Sequence, residues 1–377
     1  MDYQNRINTI RKYMDTTGAD LFITTPDANT EYLTGIPRYG SGHTRERQHS
    51  IEYSCLTVTE NSLKAFMPHL KTLIAKAKLG NTKTNVDFVP FPDGDTEGEA
   101  LINELSAMGL KGKTAGVTND VPAAFILLLQ NRLNMNVINL NQAIYDMRSI
   151  KDPDEIKIMK EAVEITDNVY NALIDAIIPG ASVRELEHYI DILIERFGGS
   201  QSSFEGELNV HGPKAGHFVG FSHDTIEKGY VLGLDFGLMY KGYCTDFGRT
   251  VFIGEPSQEH IKIYNTVKAA HHLSISLMDH YHNGEEIDCA ARDAIENAGY
   301  GKSFIHKLGH SIGMDVHERP FLAKGENKNL ENNMIFAVEP SIYIPKSCFI
   351  RLEDQVIVSP DGGIIMSKIS HDIKVIG

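Results

Sequence analysis

Within the first 145 residues, short apolar runs typical of strands alternate with segments whose apolar residues recur at helical spacing. Together they predict a small α/β domain. Short runs rich in β-branched and aromatic residues predict five strands, at residues 20–25, 53–59, 85–89, 114–117 and 136–138. Apolar positions at helical spacing predict an amphipathic N-terminal helix and further helices at residues 70–78, 97–108 and 121–132. Because strands alternate with helices, we expect a mixed or parallel sheet covered by helices.

Longer helices and two strand pairs are predicted from residue 146 onwards. Asp152, Pro153 and Glu155 form a capping signal for a helix that continues to about residue 177. Further helices are expected at residues 182–197, 258–281 and 285–297. Apolar strands flanking two turns predict hairpins, at residues 230–254 and 334–358. We therefore predict an α+β protein with two domains, residues 1–145 and 146–377.

Five acidic and imidazole side chains recur within this second part: Asp235, Asp246, His310, Glu339 and Glu353. If the first hairpin turns near residues 240–242, Asp235 and Asp246 lie across from each other. A turn near residues 345–347 places Glu339 opposite Glu353, and His310 falls between the hairpins. Carboxylates opposed on half-buried strands repel each other and lose hydration, so this arrangement needs a counter-charge.

A pair of divalent cations would supply that counter-charge, with four positive charges against four carboxylates. One acidic strand residue is usually only solvated, but four in two opposed pairs on apolar strands are hard to explain in that way. Oxygen ligands with one imidazole suit Mn²⁺, Co²⁺, Fe²⁺ or Zn²⁺. The sequence therefore predicts a dinuclear metal site, with Mn²⁺ as the first candidate.

Composition narrows the classes of partner. The 377 residues carry a formal net charge of −14, which argues against nucleic acid and against anionic membrane surfaces. No apolar run approaches the roughly 20 residues of a membrane span, and the N-terminus lacks the apolar core of a signal peptide. The four cysteines are scattered without CxxC spacing. We expect a cytoplasmic protein without structural disulfides.

The segments around the five side chains read LGLDFG, GYCTDFGRT, IHKLGHSIGMDVHERP, FAVEPSIYI and IRLEDQVIV. In order and context they resemble the pita-bread metallopeptidases, and most closely the branch of prolidase and aminopeptidase P. The resemblance covers residues 147–377 closely and the first 145 loosely. It implies a curved antiparallel sheet flanked by helices, preceded by a smaller creatinase-like α/β domain.

The resemblance also implies a ligand set. Asp235 and Asp246 would bind one metal ion, and His310 and Glu339 would complete the second. Asp246 and Glu353 would bridge both ions. A water between the ions would become the hydroxide that attacks the scissile carbonyl.

Further roles follow from the same resemblance. Glu339 would move a proton to the leaving nitrogen. His306 and His317 would contact the substrate and stabilise the tetrahedral intermediate. Arg351 would hold the ligand carboxylates or a substrate carboxylate, and Tyr343 matches a family position without a decided role.

Three positions depart from the family pattern. His217 is the candidate for a substrate-binding histidine, but glycine replaces the proline that precedes it in the family. His211 and His223 are its rivals. Gly248 stands where threonine is usual, and Ser341 stands where glycine is usual. All lie where substrate shape would be recognised, so they leave the substrate more open than the metal site.

Other polar groups have simpler expectations. A long amphipathic helix would carry four histidines on a solvated or packed face, namely His271, His272, His280 and His282. Cys244 is expected to be a small buried strand residue. The charged segment at residues 40–50 is expected to be an exposed loop, with a loop reaching into a partner subunit's cleft as the alternative.

These observations together predict a metallopeptidase that cleaves an Xaa-Pro bond in a dipeptide or short peptide, as a dipeptidase or an aminopeptidase. A homodimer is expected from the family. Two alternatives remain open: a creatinase-like relative acting on a small non-peptide amide or amidine, and a non-catalytic peptide-binding module.

Overall fold

A computed structural model describes residues 1–38, 53–80, 84–95, 97–212 and 225–377. The chain divides into two units, Met1–Arg148 and Ser149–Gly377. The boundary predicted after residue 145 falls inside the helix Asn141–Ser149 and stays a prediction. Among the described residues, none of the helices has the length and apolar character needed to cross a membrane.

The first unit is a mixed six-stranded sheet with helices. Its strands are β1 Leu21–Thr24, β2 Cys55–Val58, β3 Leu63–Pro68, β4 Asp87–Phe91, β5 Thr114–Val117 and β6 Asn136–Asn139. Its helices are α1 Tyr3–Thr17, α2 Ala28–Thr34, α3 His69–Leu79, α4 Glu99–Ala107, α5 Ala123–Leu133 and α6 Asn141–Ser149. The order is β4-β3-β2-β1-β5-β6, with β1, β5 and β6 parallel and β2 antiparallel to both of its neighbours.

The mixed sheet expected from the sequence is confirmed, but β3 was not predicted. It lies inside the sheet between β2 and β4, and five of its six residues are buried. A strand covered on both faces carries no polar alternation, so period-two patterning could not reveal it.

The second unit contains four long helices and several smaller sheets. The helices are α7 Pro153–Ala176, α8 Val183–Phe197, α9 Gln258–Ser276 and α10 Gly284–Asn297. The strands in its first half are β7 Gln201–Ser202, β8 Glu207–His211, β9 Val231–Phe236, β10 Leu238–Tyr240, β11 Tyr243–Cys244 and β12 Phe247–Ile253. Those in its second half are β13 Gly309–Ser311, β14 Glu318–Leu322, β15 Ile335–Val338, β16 Ser341–Ile344, β17 Cys348–Arg351, β18 Asp354–Ile357, β19 Ile364–Ile365 and β20 Lys374–Ile376.

Two of these sheets position the predicted ligands. One has the order β20-β12-β9-β8 and the other β14-β13-β15-β18-β19. A bridge between Gly248 and Glu353 links their edges, and the Glu353 N–H donates to the Gly248 carbonyl over 3.0 Å. The two hairpins predicted from the sequence therefore meet at the residues that carry the acidic side chains.

The register of the first hairpin corrects one expectation. Asp235 pairs with Gly248 rather than with Asp246. Lys241 and Gly242, both with positive φ, form the two-residue turn between β10 and β11, which shifts the register by one residue on each strand. Asp246 therefore lies diagonally from Asp235, on the same face of the ladder.

In the second hairpin the register agrees with the expectation. Ser341 pairs with Arg351, and Val338 pairs with Asp354, so Glu339 lies opposite Glu353 in the same alignment. Glu339 and Glu353 both fall at a break between two ladders, where the chain leaves one sheet and enters the next.

Helix α9 ends at Ser276, five residues before its predicted end. The Asp279 side chain accepts from the Tyr281 N–H over 2.8 Å and from His282 Nδ1, so it stabilises a turn instead of a further helical turn. His280 and His282 therefore lie outside the helix, contrary to the expectation that all four histidines share it.

The predicted capping box of α7 is present, and it suggests a stability test. The Asp152 side chain accepts from the Glu155 N–H, and the Glu155 side chain accepts from the Asp152 N–H, each over 2.9 Å. We expect Asp152→Ala to lower the free energy of unfolding by about 1 kcal/mol. Urea unfolding followed by circular dichroism measures this, with Asp175→Ala as the control because Asp175 is an exposed acid of the same helix outside the capping box. Equal effects of the two changes would contradict the capping role.

Candidate metal centre

The predicted ligands meet in a cleft of the second unit with a volume of about 180 Å³. Its lining combines all five with other side chains from the same unit, namely Phe204, Glu207, Val316, His317 and Arg351. Asp235 comes from the end of β9, and Asp246 directly precedes β12. His310 is the middle residue of β13, which pairs with β15 and so brings the imidazole beside the carboxylates.

His310 faces two of the carboxylates with one ring nitrogen. Its Nδ1 donates to the Ser311 carbonyl over 3.2 Å, which leaves the Nε2 lone pair directed into the cleft. Nε2 lies 3.4 Å from Asp246 Oδ2 and 3.7 Å from Glu339 Oε1. Ligand atoms of Asp246, His310 and Glu353 all lie within 4.8 Å of one another. This spacing suits side chains that share a cation.

Arg351 contributes a positive charge to the same cleft. Its guanidinium donates to Asp235 and, over 3.1 Å, to Glu339 Oε2, while its Nε lies 3.6 Å from Glu353 Oε2. One guanidinium does not balance four carboxylates. A net negative charge therefore remains among these side chains whenever all four are ionised.

Burial and the excess negative charge shift the pKa values of side chains in the cleft. Burial and then the charge of Asp246 raise the pKa of Glu353 well above its ordinary value, against the opposing effect of Arg351. Burial likewise raises the pKa of Asp235 to about 7, although Arg351 opposes the shift. Burial disfavours the charged form of His310, but its contact with Asp246 raises the pKa of the imidazole. Each carboxylate shift has the direction expected for acids crowded without enough counter-charge.

The donor set fits divalent metal ions. Glu353 Oε2 is buried and has no hydrogen-bond partner among the described residues. An orphaned carboxylate oxygen is costly in a folded protein, and a cation beside it would satisfy it. Carboxylate oxygens and one imidazole nitrogen are ligands of the first-row divalent ions.

The two histidines expected to meet substrate occupy different places. His317 lines the cleft, and its ring centroid lies 4.2 Å from that of His310; burial lowers its pKa. His306 lies at the side of Glu339, with its Nδ1 3.9 Å from Glu339 Oε2. Its Nδ1 donates to the Lys307 carbonyl over 2.7 Å, so its Nε2 accepts from the Ser341 hydroxyl over 2.5 Å.

Both departures from the family pattern that the structure describes touch these groups. Ser341, where glycine is usual, holds His306 through its hydroxyl. Gly248, where threonine is usual, lies against Glu353: a Cβ there would come within 2.7 Å of Glu353 Oε2 and 3.2 Å of Arg351 Nε. The glycine therefore leaves the space that the buried carboxylate occupies.

His211, one of three rival histidines, lies away from the cleft lining. It is buried in β8 with its ring 5.9 Å from that of Tyr343 and 6.3 Å from that of Phe349, and burial lowers its pKa to about 4. Its rivals His217 and His223 lie outside the described residues, as does the segment at residues 40–50. Cys244 is a buried strand residue, as expected, and its Sγ donates to the Met314 carbonyl.

Sequence reasoning missed Glu207, a further carboxylate in the cleft. It begins β8 and pairs with Asp235, which places it beside the predicted ligands. The run from Glu207 to His211 alternates polar and apolar residues, but it is only five residues long and was not predicted as a strand. The apolar residues Leu208 and Val210 were the available signal.

Comparisons with known proteins agree with this geometry. The family model described as metallopeptidase family M24 matches residues 157–360, and the model of the creatinase/prolidase N-terminal domain matches residues 6–150. An Xaa-Pro dipeptidase of Pyrococcus horikoshii is 28% identical over 376 residues, covering 99% of this chain and all of the relative. An Xaa-Pro dipeptidase of Lactobacillus helveticus is 30% identical over 90% of this chain and 92% of its own length.

The solved structures agree in fold. A prolidase from Thermococcus sibiricus is 31% identical, covers 100% of both chains and superposes with a TM-score of 0.88. The predicted fold class, a creatinase-like N-terminal domain followed by a pita-bread domain, is confirmed by these matches.

The raised pKa of Asp235 predicts a pH-dependent stability in metal-free protein. Its folded-state pKa of about 7 exceeds the ordinary 3.8, so the folded state keeps a proton that the unfolded state releases. Stability from this group is fully present below about pH 4 and is lost as the pH rises through about 7. We expect the difference in free energy of unfolding between wild type and Asp235→Asn, measured in chelator, to change as the pH rises from about 4 to about 7. Over that range the wild type should lose stability relative to the variant. Urea unfolding measures it, with exposed Asp293→Asn as control; a flat difference would contradict the assignment.

Gly248 offers a test of the space beside Glu353. We expect Gly248→Ala to weaken divalent-ion binding about 10-fold or more, because the new Cβ would displace the Glu353 carboxylate. Titration of chelator-treated protein with Mn²⁺ measures the affinity. Gly233→Ala is the matched control on the paired strand, where the nearest atoms to a new Cβ lie 3.6 Å away. Unchanged affinity in Gly248→Ala would show that Glu353 does not need this space.

Proposed function

Because the chain belongs to metallopeptidase family M24, we propose that it is an Xaa-Pro dipeptidase whose cleft binds two divalent metal ions. The family implies divalent ions, and the Xaa-Pro preference is inferred from relatives that carry this name. Mn²⁺ is the ion we propose first. A homodimer and a cytoplasmic location remain predictions.

One observation supports the proposal above the others: four carboxylates and the Nε2 of His310 converge on a cleft that contains an orphaned carboxylate oxygen. We assign Asp235 and Asp246 to one ion and His310 and Glu339 to the other. Asp246 and Glu353 would contact both. When bound, the ions supply Lewis acidity and lower the pKa of water at the site.

The protein side chains would bind and orient the substrate and move a proton. Glu339 is assigned the proton transfer to the leaving nitrogen, because its carboxylate lies between His310, His306 and Arg351. Its contact with Arg351 over 3.1 Å holds it in place.

Two histidines are assigned to the substrate. His317 lies at the wall of the cleft. Burial lowers its pKa, so its imidazole stays neutral at a lower pH than that of an exposed histidine. His306 is oriented by Ser341 and Lys307. They would stabilise charge on the carbonyl oxygen as the bond breaks, His317 by its own N–H and His306 when its Nε2 carries a proton and turns from Ser341 to the substrate.

Substitution of a bridging carboxylate tests the assignment. We expect Asp246→Asn to lower kcat by more than about 100-fold while the fold is kept, since changes to second-shell groups alone cost about 10–100-fold. Glu207→Gln is the matched control, because Glu207 lines the same cleft but is not assigned as a ligand. It should retain both ions. Kinetic assays and metal analysis of the purified variants measure both quantities; full activity of Asp246→Asn would refute the role.

A substrate panel tests the activity itself. Chelator-treated protein should be inactive and should regain hydrolysis of Xaa-Pro dipeptides when Mn²⁺ is returned. Xaa-Ala dipeptides serve as the specificity control, and longer Xaa-Pro peptides separate a dipeptidase from an aminopeptidase. Chromatographic detection of the released N-terminal residue measures turnover of every peptide in the panel. No hydrolysis of any Xaa-Pro substrate with two ions bound per chain would overturn the proposal, and turnover of a small non-peptide amide would favour the creatinase-like alternative.

A further inference from the structure

Three histidines form a second cluster outside the cleft. His271 and His272 lie near the end of α9, and His371 lies in the segment between β19 and β20. We propose that these histidines bind one transition-metal ion of the Zn²⁺ class, at a site separate from the dinuclear centre. His371 was not singled out from the sequence, because its neighbours in the cluster are about a hundred residues away.

The spacing of the ring nitrogens supports this site. One nitrogen from each histidine lies within 4.8 Å of the others, and His272 Nε2 is 2.9 Å from His371 Nδ1. Zn–N bonds of about 2.0–2.1 Å in a tetrahedral site separate ligand nitrogens by about 3.3 Å. Small rotations of the exposed His272 and half-buried His371 would reach this separation.

His371 already has the orientation that metal-binding histidines usually have. Its Nε2 donates to Asp354 Oδ2 over 2.7 Å, which leaves the Nδ1 lone pair facing His272. A carboxylate behind a ligating histidine fixes the tautomer and strengthens the ligand. Asp354 is fully buried and is held in turn by Arg249 Nη2 over 2.7 Å.

The burial of His271 supports the metal site independently of the spacing of the ring nitrogens. His271 is completely buried, and neither of its ring nitrogens has a hydrogen-bond partner among the described residues. Nε2 lies 3.4 Å from Asp354 Oδ2 without a hydrogen bond. Burial lowers the pKa of His271 to about 3, so its ring is neutral and can donate a lone pair at physiological pH. A buried imidazole without a partner is unusual unless an ion completes it.

The surrounding charges are compatible with a cation. Lys268, the nearest lysine on α9, is paired with Asp372 over 3.0 Å. Arg249 is paired with Asp354 and also donates to the Glu353 carbonyl over 2.6 Å. An ion bound by the histidines would link the C-terminal segment that contains His371 to α9. Since His371 contacts Asp354, and Arg249 joins Asp354 to the Glu353 carbonyl, the ion would also help to hold the backbone of Glu353 in place.

Metal content measured with two matched double variants tests the site. Chelator-treated proteins are dialysed against buffered micromolar free Zn²⁺, and zinc per chain is counted. We expect His272→Gln/His371→Gln to bind one ion fewer than wild type. The control is His280→Gln/His282→Gln, which also removes two histidines from near the end of α9 but lies outside the cluster, and should match wild type.

A second measurement separates loss of the site from loss of folding. Thermal unfolding in chelator should be similar for the two variants, and added Zn²⁺ should raise the Tm of His272→Gln/His371→Gln less than that of the control. Equal zinc content in all three proteins would overturn the proposal and leave His272 and His371 as a hydrogen-bonded pair. Zinc content and Tm are measured without a substrate, so a failure of this proposal is distinguishable from a failure of the proposed Xaa-Pro hydrolysis.

Discussion

The repulsion among four carboxylates, of which three are buried and Asp235 is partly buried, is the constraint on which the second unit depends. Arg351 contacts Asp235, Glu339 and Glu353, but a single guanidinium leaves a net negative charge when all four acids are ionised. The consequence is visible as raised pKa values for Asp235 and Glu353 and as an orphaned oxygen on Glu353. The fold holds these groups together despite their mutual repulsion, and divalent ions would convert that repulsion into binding.

Backbone pairing maintains this unfavourable grouping. The bridge between Gly248 and Glu353 joins two sheets at the cleft, and Arg249 donates to the carbonyls of both residues. Arg249 also pairs with the buried Asp354. The predicted ligands are therefore positioned by hairpin register and by a buried ion pair behind the cleft, so that their backbone would need little rearrangement when ions bind.

The sequence predicted the chemistry of the site better than its geometry. All five predicted ligands line one cleft, and Glu339 lies opposite Glu353 as expected. The pairing of Asp235 with Gly248 was missed, since it depends on which two residues form the turn. Glu207 and His371 were missed for a different reason. Their importance comes from contacts with distant strands and helices, which local periodicity does not encode.

If the five predicted ligands form a dinuclear metal centre, ions supplied to the protein must bind in this cleft. A crystal structure of protein supplied with Mn²⁺, with anomalous diffraction data, tests this most directly. We expect two anomalous peaks in the cleft, with Asp246 and Glu353 in contact with both and Arg351 withdrawn from at least one carboxylate. A cleft without anomalous density, in which Arg351 keeps its contacts with Asp235 and Glu339, would contradict this expectation.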